Sequence, residues 1–154
     1  MKKLLLTFVI IIFASTLLLQ AQVDADKVKG YWLTEEGTSQ IYIYKAKNGS
    51  YYGKICWLDE PNEDGAPKKD KENPDEELRE RPLMDLLLLK SFEFDPKEVE
   101  WSDGTIYDPK SGKTYDCFMW FEGGEFNELK IKGFVMGMRF IGRETTWIRE
   151  TGQR

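Results

Sequence analysis

Asp103, Asp108, Glu122 and Glu144 are carboxylates lying on or beside aromatic, turn-bounded segments. Two carboxylates facing each other can act as general acid and general base, as in glycoside hydrolysis. No histidine accompanies them anywhere in the chain. That removes the commonest general base, a frequent metal ligand, and every Ser-His or Cys-His nucleophile pair. With 27 acidic residues, chance pairs of carboxylates are expected, and no spacing singles one out. A carboxylate-dependent hydrolase is therefore an alternative. The leading expectation is a protein without catalytic activity, cofactor or metal.

Cys56 and Cys117 are the only cysteines. A bridge between them would close a long loop and add about 4 kcal/mol in the chain-entropy view. Two separate buried thiols are the equal alternative, because sequence does not place their Cα atoms within bridging distance. Ser111-Gly112-Lys113-Thr114 resembles the tail of a phosphate-binding loop, but Tyr107 stands where that motif needs its first glycine and a strand follows instead of a helix. It reads as a hairpin turn. Glu60 to Gly65 resembles a calcium loop with the wrong first residue, and Lys71 replaces its bidentate acid.

The aromatic residues say more. Trp57, Tyr107, Tyr115 and Trp120 fall on expected strands and are candidate lining for a small hydrophobic or amphipathic ligand, with core filling as the plainer reading. Arg81, beside Pro82, is a candidate anchor for a polar head group or one half of a structural salt bridge. Trp32 near the start and Arg149 near the end fit a cation–π closure of a barrel end. Phe134-Val135-Met136-Gly137-Met138 reads as a soft apolar tip.

The elements that carry these residues alternate with period two. Ser39 to Tyr44 and Tyr51 to Leu58 read as a hairpin around Asn48-Gly49, with Trp57 expected on the face of Gly53 and Ile55. Trp101–Tyr107, Thr114–Phe121, Glu128–Phe134 and Phe140–Arg149 read as four further strands. Leu86 to Leu89 fits a strand or a short helix. Asp59 to Arg81 is rich in charge and proline, and Asn73-Pro74-Asp75 predicts a capped helical turn. The expected fold is all-β, a small antiparallel barrel with a short helical turn or lid segment between strands.

Lys2 and Lys3, the apolar run Leu4–Leu19 and Ala21 have the order of a secretory signal, predicting cleavage after residue 21 and one barrel domain over 22–154. Export, most simply to the periplasm, follows. No stable membrane span is then expected. The removed segment holds two lysines and no acid, so the formal charge moves from −5 to −7. That balance argues against nucleic acid and against non-specific attachment to anionic lipid.

Gly30-Tyr31-Trp32, Tyr52-Gly53-Lys54-Ile55, Asp70…Asn73-Pro74-Asp75…Arg81-Pro82-Leu83, Gly104-Thr105-Ile106-Tyr107-Asp108-Pro109…Gly112-Lys113-Thr114-Tyr115 and Gly142-Arg143…Trp147…Arg149 occur in that order. Together they resemble the bacterial exported family known as domain of unknown function 2147. The resemblance implies a lipocalin-like barrel in a periplasmic protein of no established general activity, with Trp32 and Arg149 as structural closure. Met84-Asp85 departs from the family where a glycine is expected, and the two cysteines are additions to the pattern. The functional expectation is a binding protein for a small hydrophobic or amphipathic molecule. A filled barrel that engages a protein or cell-wall partner through Asp59–Arg81 is the second reading, and an envelope hydrolase the third.

Overall fold

The computed structural model describes residues 23–154; the predicted signal segment and its cleavage point lie outside them. Ten strands follow in order: β1 (Gly30–Leu33), β2 (Ser39–Lys45), β3 (Tyr51–Leu58), β4 (Asn62–Glu63), β5 (Ala66–Pro67), β6 (Leu87–Asp95), β7 (Glu100–Asp108), β8 (Lys113–Phe121), β9 (Glu128–Phe134) and β10 (Gly142–Glu150). Eight of them close an antiparallel barrel in the order β1-β10-β9-β8-β7-β6-β3-β2. Closure pairs Trp32 with Arg149 and Tyr31 with Glu150, so the first and last strands leave no free edge. β4 and β5 form a separate two-stranded hairpin in the excursion between β3 and β6.

The leucine run enters strand β6, not a helix. Leu88 and Leu89 are both buried, and a segment walled on two sides loses the alternation that would have marked it. Asp85, just before it, has φ +63°, the left-handed conformation that the glycine expected from the family resemblance would adopt without strain. Its carboxylate takes a 2.6 Å ion pair from Lys54. The helical turn is a single 3-10 turn, Glu76–Leu78, capped by Asp75 and not Asn73. The Asn48-Gly49 turn is longer than two residues: Lys45 and Tyr51 are the last pair, and Gly49 alone carries positive φ.

One end of the barrel is plugged. The 3-10 turn Ala25–Val28 lies across it and gathers three aromatic polar groups. Trp32 Nε1 donates to Val28 O (2.8 Å), Trp101 Nε1 to Ala25 O (3.0 Å), and the Tyr51 hydroxyl to Asp26 Oδ1 (2.7 Å). Above that plug the lumen is filled by Trp32, Trp101, Tyr51, Phe92, Leu89 and Met119, all without significant exposure. Gly53 and Gly104 make room for it: a Cβ on either would strike Leu89 or the Phe92 ring.

Candidate functional site

Arg149 stacks on Trp32 with its guanidinium carbon 4.2 Å from the ring. The same group donates to Phe126 O (2.8 Å), Lys29 O (2.9 Å) and Lys27 O, tying the β8–β9 loop and the chain entry to the plugged end. Five donors in a rigid fork suit this task, which a lysine could not perform.

The proposed lining residues do not converge. In β3, Cys56 is an extra residue: Ile55 opposes Ile41, whereas Trp57 opposes Gln40. That bulge shifts the alternation, so Leu58 packs on the core while Trp57 sits outside under the Arg154 guanidinium, 4.9 Å away. Trp120 is also outside, stacked on Phe118 at 5.1 Å, because Cys117 and Met119 take the core face of β8. Tyr115 shares the inner face with them. Tyr107 is buried, but its hydroxyl is committed elsewhere.

That commitment is to Asp70, fully buried under the excursion between β3 and β6. Asp70 accepts from Tyr107 (2.6 Å), Asn73 Nδ2 (2.8 Å), Arg81 Nε (2.9 Å) and a second Arg81 nitrogen (2.7 Å). Burial pulls the Asp70 pKa up, but the hydrogen bonds from Tyr107, Asn73 and Arg81 outweigh it and hold the carboxyl below its ordinary value. Tyr107 is pushed up to about 12, by burial first and by the bond to Asp70 second, so it remains a donor. Arg81 thus serves as the salt-bridge partner of Asp70, and the Asp59–Arg81 segment is braced to the barrel at this point. Asp70 stands in the pattern that carries the family resemblance, but its role was not legible there because its partner Tyr107 is far along the chain.

Both cysteines are free thiols, in line with the second of the two readings left open by the sequence, separate buried thiols, and not with a bridge. The physical reason is that they occupy opposite sides of the wall. Cys117 belongs to the core, whereas Cys56 bonds Gln40 (3.2 Å to Oε1) beneath the C-terminal tail. Gln153 donates to Cys56 O (2.8 Å) and Gln40 Nε2 to Gly152 O (2.9 Å), which clamps the tail down. Burial raises both thiol pKa values, so neither is an activated nucleophile.

The four carboxylates considered for catalysis are dispersed over β7, the β8–β9 connection and β10. Asp108 is occupied with its own turn, accepting from Lys110 N (3.0 Å) and Ser111 Oγ (2.6 Å). The calcium-like stretch runs into β4 and the turn of the β4–β5 hairpin, and Lys71, beyond the hairpin, pairs with Glu63.

A cavity of about 310 Å³ opens on the outer wall, where β7 carries an extra residue opposite Phe118. Asp103, at φ +58°, marks that bulge. Asp116 pairs with Thr105 on one side and Phe134 on the other, so these three share the outer face. The Phe118 and Phe134 rings, 6.0 Å apart, form its apolar wall, and Ser102, Asp103, Thr105 and Asp116 its polar one. The β9–β10 connection folds over this groove. Arg139 lies 3.9 Å from the Phe118 ring and grips both oxygens of Glu100 at 2.7 Å. No spacing in the sequence announced the groove; only the outward turn of Phe118 beside Phe134, at the β7 bulge, assembles it.

A family model described as "Uncharacterized protein conserved in bacteria (DUF2147)" matches residues 30–149. Among solved structures, the chain is similar to a Helicobacter pylori protein described as belonging to the lipocalin family, with a TM-score of 0.67 and 24% identity. The alignment covers 80% of this chain and 83% of the other. No curated protein matches the sequence.

Proposed function

The chain belongs to the bacterial family DUF2147, and we propose that it is an exported, non-catalytic binding protein for a small amphipathic molecule held in the outer-wall groove. One observation carries this reading: the lumen is packed with buried aromatics, whereas a cavity of about 310 Å³ lies outside it, where phenyl rings meet carboxylates. That volume is at the lower end of the range for small-molecule sites. An apolar body would lie against Phe118 and Phe134, with Trp120 beside them. A hydrogen-bond-donating head, an ammonium above all, would face Asp103, Asp116 and Thr105. Arg139, latched to Glu100, would close over the ligand. A lipocalin-like fold supports a binding role, and the Lys2-Lys3 and Leu4–Leu19 pattern supports export to the periplasm.

Calorimetric titration with alkylamines, alkanols and fatty acids of one chain length tests this. The amine should bind saturably, Phe118→Ala should weaken all binding, and Asp116→Asn should weaken the amine more than the alkanol. If no series binds, or if neither substitution matters, the groove is not the site.

A further inference from the structure

The β9–β10 connection exposes its apolar side chains. Met136 is 83% and Phe140 79% exposed, with Ile141 and Val135 also open to solvent. Each would be more stable out of water, and four exposed on one hairpin tip are the kind of apolar feature that marks an interaction site. The surrounding charge is equally uneven. From residue 129 to 143 the chain has Lys130, Lys132, Arg139 and Arg143 and no acid, in a protein of net charge −5.

Strand pairing places these groups together. Lys130 opposes Trp120 and Lys132 opposes Phe118 across β8 and β9. Leu129 and Ile131 take the core face, so both lysines share the outer wall with the two half-buried aromatics. Lys132 makes no ion pair among the described residues, and the Arg143 side chain is 82% exposed despite a 3.2 Å contact to Glu36. Aromatic rings and long cationic side chains beside an apolar tip match the layering of a bilayer interface: apolar groups among the acyl chains, rings at the head-group level, cations on the phosphates.

We propose that this wall and the Val135–Ile141 tip dock on an anionic phospholipid surface. The occupant is a bilayer and not a second protein, because the patch joins insertable side chains to cations that complement lipid phosphates. Asp116 and Glu144 lie close by on the neighbouring strands, Glu100 holds Arg139 and Glu36 contacts Arg143, so the apolar tip supplies most of the attraction and Lys130 and Lys132 set the preference for negative lipid. Docking would bring the groove, which opens on the same wall, against the membrane. It shares Phe118, Trp120 and Arg139 with the ligand proposal, but it rests on the exposed tip and the two lysines, so it can fail without the other.

The test is co-sedimentation of residues 22–154 with sucrose-loaded vesicles. Every strand of the closed barrel lies within that segment, and the apolar leader, which would bind lipid by itself, is left out. Binding is expected to vesicles of phosphatidylglycerol with phosphatidylethanolamine, and more weakly to phosphatidylcholine. Met136→Asp and Phe140→Asp should each lower the partition constant about tenfold. Lys130→Gln and Lys132→Gln should each lower it about fivefold on the anionic vesicles only. Far-UV circular dichroism and thermal unfolding should be unchanged in all four, since the substituted side chains are outside the core. The proposal is overturned if the protein stays in the supernatant with both lipids, or if the tip variants bind as well as the parent. It is equally overturned if light scattering shows a dimer that the tip variants dissolve, which would make the patch a contact between copies.

Discussion

Replacing Asp70 by alanine should be the most damaging single change outside the aromatic core. The substitution removes the acceptor from four hydrogen bonds, one from Tyr107, one from Asn73 and two from Arg81. Breaking one partner of a buried ion pair typically costs about 3–5 kcal/mol. Here the Arg81 side chain keeps 32% exposure, so water can reclaim part of the guanidinium, and the lower end, about 3 kcal/mol, applies. In a barrel of this size that is a fall in Tm of roughly 10 °C. Asp70→Asn keeps the shape and one acceptor oxygen, and Tyr107 can rotate its hydroxyl, so the loss should shrink to about 1–2 kcal/mol. The acid limb follows from the direction of the Asp70 shift. Its folded pKa lies below the unfolded one, so the stabilisation is fully present above about pH 4 and is lost as pH falls through the lowered folded value. Urea unfolding of parent, Asp70→Ala and Asp70→Asn from neutral pH downward measures both effects, and Asp70→Asn should show a flatter acid limb. An Asp70→Ala protein within about 1 kcal/mol of the parent would refute the argument, because the cluster would then be worth no more than a surface salt bridge.

Arg149→Lys should destabilise the protein by about 2–3 kcal/mol in urea unfolding, since lysine can neither fork to the three carbonyls nor stack as a plane on Trp32. Thiol labelling should find Cys56 and Cys117 both protected in the native protein and both reactive in denaturant; deleting Gln153 and Arg154 should expose Cys56 alone, because the tail covers it while the core covers Cys117. Gly104→Ala should cost about 1–3 kcal/mol by thermal unfolding, because its Cβ would lie 2.4 Å from the Phe92 ring, which has nowhere to move in a filled lumen.

Much of this architecture is written locally. Alternation in Ser39–Tyr44 or Thr114–Phe121 marks a strand whatever surrounds it, and Asp108-Pro109…Gly112 turns the chain by its own backbone preferences. The Gly30-Tyr31-Trp32 start and the late Arg149 likewise announced strands that meet. Period two assigns residues to faces but does not say which face is inside. In β8 both rows are apolar, Cys117, Met119 and Phe121 against Phe118 and Trp120, and packing against the other strands chose the first. In β3 one bulged residue, Cys56, carried Trp57 to the outer wall and Leu58 to the core, a shift set by pairing with Gln40 and invisible in β3 alone. The Asp70–Tyr107 bond, the separation of the thiols and the groove over Phe118 share that origin. Each depends on side chains distant in sequence whose proximity arises only when the barrel closes.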